Sequence, residues 1–167
     1  SFGGEPRFVT VVNNIMFFTA NNGVNGRELW KSDGTDAGTV MVKDIRPGSG
    51  HSNPQSLVAL NGILYFGANN GVNGWELWRS DGTEEGTGLF ADLCPGPTSS
   101  MAFVVGTTDT RALVATTGCS SSFIAHSLVD NFGQVTEFGN PSTFRMQFGV
   151  RWNANSLLVV AGPELML

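Results

Sequence analysis

Residues 15–48 return as residues 63–96, without a gap, at an offset of 48. Of the 34 aligned pairs 21 are identical, which is duplication and not chance. Both copies carry Ala-Asn-Asn-Gly-Val-Asn-Gly (20–26 and 68–74), Glu-Leu-Trp (28–30 and 76–78) and Ser-Asp-Gly-Thr (32–35 and 80–83). Asp44-Ile45-x-Pro47-Gly48 recurs as Asp92-Leu93-x-Pro95-Gly96. A repeated unit cannot bury its apolar face alone, so it must stack on its neighbours, and the repeat sets the architecture before any single residue does.

Within a repeat the pattern reads as strand throughout. Phe8–Val12, Ile15–Ala20, Trp75–Arg79 and Gly88–Leu93 are short β-prone runs, and Asn61-Gly62 between Leu60 and Ile63 is a strong hairpin signal. No sustained helical period with caps occurs. Four short antiparallel strands in 48 residues predict one blade of a β-propeller, so the expected class is all-β. A worn third copy is expected at Ala112–Gly118, Ser122–His126 and Gly133–Phe138, and a partial fourth from about Phe144 through Ser156–Gly162. The reading is one domain over 1–167, with blades at about 8–48, 56–96, 102–139 and a partial 143–167.

Composition narrows the class further. The 167 residues are 41% hydrophobic and 14% charged, which is too apolar and too weakly charged for a disordered chain. No apolar run approaches the ~20 residues of a membrane helix. A net charge of -5 with two lysines, Lys31 and Lys43, lacks the basic footprint of a nucleic-acid binder. The expected partners therefore include neither nucleic acid nor a membrane to insert into.

The run Glu-Leu-Trp-x-Ser-Asp-Gly-Thr-x-x-Gly-Thr, with Ala-Asn-Asn-Gly-x-x-Gly upstream, resembles the ELWxxDGT-type repeat of secreted, propeller-like proteins. The match covers residues 8–97 and is lost in the third repeat, where Leu128 and its neighbours stand near the expected Ser-Asp-Gly-Thr. The resemblance implies fold and secretion, and no particular activity.

The recurring residues each admit two readings. Asp33 and Asp81, followed by Gly and Thr, form turns, or else offer a carboxylate to calcium, which is the one cofactor worth weighing where none is expected. Trp30 and Trp78 alternate with leucine, so the two types face opposite sides of the strand, and packing between blades competes with stacking on a sugar. Trp75 is specific to its repeat and stands in the slot of Arg27, which favours a ligand-facing role. Glu28 and Glu76 could be a hydrolytic carboxylate pair, but equivalent positions in two blades point to a shared framework bond. His51 and His126 lack partners at metal-ligand spacing, and Ser120-Ser121-Ser122 lacks the Gly-x-Ser-x-Gly context. No enzyme is expected and no catalytic or metal residue is assigned.

Strand direction puts the 2→3 and 4→1 connections of every blade on one face. Cys94 and Cys119 fall in such connections of adjacent blades, so they are expected to pair as a disulfide, in keeping with an extracellular home. The same face gathers Asn22, Asn25, Asn70, Asn73, Trp75, Arg46 and His51, with Ser49 and Asn53. Amides for hydroxyl pairs and an aromatic for a ring face suit a sugar. The expected function is thus a secreted, lectin-like propeller binding glycans or glycoproteins, similar in principle to tachylectin and fucose-lectin propellers, whose own motifs are missing. The alternatives are a matrix-adhesion protein that binds other proteins, or a calcium-stabilised scaffold. Apolar Leu157, Leu158, Val159, Val160, Leu165 and Leu167 crowd the incomplete last repeat, which points to a homo-oligomer.

Overall fold

The computed structural model describes residues 6–92, 94, 96, 97 and 99 with their side chains, and beyond them the backbone of six further strands. The described chain is all β, without a helix. The first sheet holds β1 (Arg7–Val12), β2 (Ile15–Asn21), β3 (Arg27–Ser32) and β4 (Val40–Lys43), hydrogen-bonded in the order 1-2-3-4. The second repeats it with β5 (Gln55–Leu60), β6 (Ile63–Asn69), β7 (Trp75–Ser80) and β8 (Gly88–Ala91). A third four-stranded sheet holds β9 (Phe103–Thr107), β10 (Arg111–Thr117), β11 (Ile124–Asp130) and β12 (Val135–Phe138), and β13 (Met146–Asn153) pairs with β14 (Ser156–Ala161). Every pairing is antiparallel.

The register is conserved between the first two sheets. Phe18 pairs with Trp30 and Phe66 with Trp78, Ala20 with Glu28 and Ala68 with Glu76. Asn61 and Gly62 take φ of 50° and 77°, and Asn13 and Asn14 take 49° and 63°. Both are two-residue hairpin turns with left-handed central residues, matched to strand twist.

The third repeat departs from the expectation. The repeat pattern predicts its third strand at Ser122–His126, but β11 runs from Ile124 through Leu128 to Asp130, pairing with all seven residues of β10. Where the first two repeats turn on Ser-Asp-Gly-Thr, this chain has Leu128-Val129, which suits an extended ladder, so the strand continues.

Alternation gives each sheet two unlike faces. On one side of the first sheet lie Phe17, Thr19 and Leu29, and on the other Phe18, Ala20, Glu28 and Trp30. The first sheet's leucine face packs on the second sheet's tryptophan face: Val12, Phe17, Leu29, Val42 and Ile45 form one core with Leu57, Leu64, Phe66, Ala68 and Trp78. The second sheet's own leucine face carries Leu60, Tyr65 and Leu77, with Ile63, Phe90 and Ala91 against them. Leucine against tryptophan is therefore the mode of contact between the first two sheets.

Polar bonds fix the same interface. Lys31 Nζ donates to the Gly82 carbonyl at 2.7 Å, and Lys43 Nζ donates to the Thr87 and Glu84 carbonyls at 2.9 and 3.2 Å. Thr10 Oγ1 donates to the Leu57 carbonyl at 2.8 Å. Two cations of one sheet thus cap the turn of the next.

Candidate functional site

The Ser-Asp-Gly-Thr-x-x-Gly-Thr segment closes on itself. Asp33 Oδ1 accepts from the Thr35 N–H at 2.9 Å and the Thr35 hydroxyl at 2.7 Å. The Gly38 N–H donates to Thr35 Oγ1, the Thr39 hydroxyl donates to the Thr35 carbonyl, and Ser32 and Thr39 share a 2.7 Å hydroxyl bond. Asp81, Thr83, Gly86, Thr87 and Ser80 repeat this network. A Cβ at Gly38 or Gly86 would overlap the Asp33 or Asp81 carboxylate, which explains the second glycine of the motif. The hydrogen bonds from Thr35, side chain first, hold the Asp33 carboxyl below its ordinary range, and those from Thr83, backbone first, do so for Asp81. Each carboxylate is committed to its turn. Among the described residues no three His, Cys, Asp or Glu side chains come close enough together to hold a metal ion.

The Asn-rich turns are equally self-contained. Asn22 Oδ1 accepts from the Val24 and Asn25 N–H groups at 2.9 and 2.8 Å, and Asn22 Nδ2 donates to Asn25 Oδ1. Asn25 Nδ2 then donates to Asp44 Oδ2 at 2.9 Å, tying the turn to the connection that leaves β4. Asn70, Asn73 and Asp92 copy the arrangement. Asparagine is used here because its amide can be acceptor and donor in one turn. At the turn tips stand Val24 and Val72, 69% and 70% exposed, which the sequence reading passed over. Their lone apolar character between turn residues was the available signal.

Glu28 organises the connection from β4 to β5. It is fully buried. Oε1 accepts from the Ser52 N–H at 3.0 Å, and Oε2 accepts from the Ile45 N–H at 3.0 Å and the Ser52 hydroxyl at 2.5 Å. Burial pushes its carboxyl up to about 7, with Asp44 adding to the rise and the bonds from Ser52 and Ile45 opposing it. Glu76 is buried at the equivalent place. Geometrically Glu28 is a staple, holding a loop rather than facing a cleft.

The same connection carries the exposed polar groups. His51 Nδ1 accepts the Arg27 N–H at 2.8 Å, and in the second sheet Ser99 Oγ accepts the Trp75 N–H at 3.1 Å. His51 and Arg46 are exposed, and Trp75 is half-buried. The Asn69 N–H donates to the Ser52 carbonyl at 3.0 Å, and the Arg46 side chain lies against Gly71, where a Cβ would come within 3.2 Å of its Nε. One composite surface therefore joins Arg46 and His51 of the connection to the 69–74 turn that leads into Trp75. Trp30 and Trp78 are 8% and 6% exposed and belong to the sheet faces.

Cys94 is buried, and no described cysteine is a free thiol. Cys119, like His126's side chain and residues 157–167, lies outside the residues whose side chains are described. No protein-family model matches the chain, and no curated protein matches it.

Proposed function

We propose that the protein is a secreted, propeller-like binding module whose ligand is a carbohydrate, taken at the loop face between successive sheets. The observation that carries this reading is the composite surface of Arg46, His51 and the turn leading into Trp75. His51 accepts through Nδ1, which leaves Nε2 as its donor, and Arg46 supplies a planar fork for hydroxyl pairs. Trp75, at the end of that turn, would supply the apolar ring. Asn22, Asn25, Asn70 and Asn73 spend their carbonyl oxygens inside the turns, so their part is to shape the surface, with one amide hydrogen each to spare. Repetition would give several weak sites and hence avidity.

Further parts of the proposal are ring closure by successive sheets, a Cys94–Cys119 disulfide worth about 3 kcal/mol in the chain-entropy model, and self-association through the last repeat. The experiment is a glycan array probed at low and high calcium with the parent, Arg46→Ala and Trp75→Ala. The expected outcome is a parent signal that both substitutions abolish. Silence of the parent across the array would refute the carbohydrate reading. It would favour adhesion to protein instead, for which the exposed Val24 and Val72 tips are the specific support.

A further inference from the structure

The junction between the first two repeats holds Arg46 in a slot made by glycines. At Gly26 a Cβ would overlap the Gly50 carbonyl oxygen, so the connection from β4 to β5 lies directly on the first Asn-rich turn. At Gly50 a Cβ would come within 2.8 to 2.9 Å of Arg46 Cγ, Cδ and Nε, and at Gly71 within 3.2 Å of Nε. Gly50 and Gly71 thus leave room for the Arg46 stem between its own connection and the turn of the next repeat. Arg46 is nonetheless exposed, and among the described residues its guanidinium meets no acceptor.

The second junction shows that the framework does not need this charge. At an offset of 48, Arg46 and Gly71 become Cys94 and Cys119. Cys94 is 1% exposed, an uncharged buried side chain where the first junction shows a cation to solvent. His51 likewise becomes Ser99, and each accepts the N–H that opens the third strand of its own sheet, from Arg27 and from Trp75. That position asks only for an acceptor, yet the first junction uses an imidazole, whose Nε2–H is a further donor.

Side-chain acceptors of the adjoining turn are already taken. Asn69 Oδ1 accepts the Gly71 N–H, Asn70 Oδ1 accepts the Val72 and Asn73 N–H groups, and Asn73 Oδ1 accepts the Asn70 amide. What remains is hydrogen to give: the Arg46 fork, the His51 Nε2–H and one amide hydrogen each on Asn70 and Asn73. A neutral sugar brings a donor with every hydroxyl, whereas a carboxylate or sulfate brings acceptors alone.

We propose that this surface selects acidic sugars, taking a carboxylate or sulfate on the Arg46 fork and using the His51 Nε2–H as a further donor to the same glycan, a proposal that rests on the carbohydrate reading above and narrows it to one chemical class.

The test is an array of neutral glycans printed beside their uronate, sialylated and sulfated counterparts, probed with the full chain. Signal should concentrate on the acidic members and weaken as sodium chloride is raised. Signal on the uronate and sialylated members makes the group a carboxylate, signal on the sulfated ones a sulfate, and either supports the proposal. Arg46→Met keeps an aliphatic stem in the slot and removes the charge. In titrations of the brightest acidic glycan and its neutral counterpart, it should cut the preference for the acidic one roughly tenfold or more. Arg46→Lys keeps the charge without the fork, and His51→Ser restores the acceptor used at Ser99. Each should cut the preference roughly threefold, which keeps the test valid if Arg46→Met fails to fold. Neutral and acidic members bound alike overturn the acidic selectivity and leave the carbohydrate reading standing, whereas a silent array overturns both. An acidic preference that survives the variants places the anion elsewhere and overturns the proposal. So does a poly-glutamate peptide that competes as well as the acidic glycans, since the surface would then answer to charge alone.

Discussion

The first two sheets are alike in the bonds that hold their turns and differ in where the cations of their third and fourth strands reach. Asn22, Asn25 and Asp44 make the bonds of Asn70, Asn73 and Asp92, and Ser32 and Thr39 those of Ser80 and Thr87. Among the thirteen differing pairs are Lys31 and Arg79, and Lys43 and Ala91. Lys31 reaches the next sheet, whereas Arg79 lies over the ring of Phe90 in its own sheet, 5.4 Å from the centroid, and Phe90 meets Tyr65 edge-on at 5.2 Å. Identity in the turns therefore reports internal framework, and the Lys31/Arg79 difference separates a cation that bonds the next sheet from one that stays in its own.

The sharpest break would come at Gly26. It holds φ of 73°, and a Cβ there would overlap the Gly50 carbonyl oxygen. Gly26→Ala should cost about 3 kcal/mol or more, from left-handed strain plus the clash, read as a lower denaturation midpoint. Gly38→Ala and Gly86→Ala should each cost about 2 kcal/mol, and nearly equally, because each Cβ meets the turn aspartate of its own sheet. Unequal losses would mean that the turns are not interchangeable framework.

The connection is probed by pH. Glu28 ionises near 4.5 in the unfolded chain and at about 7 when folded, so between these values the native state binds the extra proton. Stability should fall as pH rises through that window and level off above it. The full shift corresponds to about 3 kcal/mol, which solvent screening reduces to on the order of 2 kcal/mol, and Glu28→Gln should flatten the slope in chemical denaturation across pH. The smallest effect separates neighbour contacts from internal ones. Lys31→Met should cost about 1 kcal/mol by removing a charge-assisted bond between sheets, and Arg79→Met about half that by removing a cation–ring contact.

Much of the framework could be read from the sequence. Duplication, four strands per repeat and the opposition of Leu29 to Trp30 all follow from pattern, because period-two alternation and turn residues are local signals. The two readings of Asp33 and Asn22 could not be separated that way, since a turn acceptor and a ligand contact use the same atoms. Nor could sequence show that Glu28 reaches forward to Ile45 and Ser52, or that two lysines cap a turn in the next repeat, because both depend on how sheets meet. In the third repeat local propensity overrode homology, and Leu128 lies in a strand where the motif implies a turn.

The Glu28 staple has a consequence for how the molecule comes apart. Its donors lie in the stretch that delivers the chain to β5, and the same stretch offers the Ser52 carbonyl to Asn69 of the second sheet. That stretch is common property of two repeats, so neither can melt without releasing it. In a linear array such sharing raises the nearest-neighbour coupling relative to the stability of a lone repeat. The first two repeats should then open as one unit, with amide exchange in β3 and β6 slowing and quickening together.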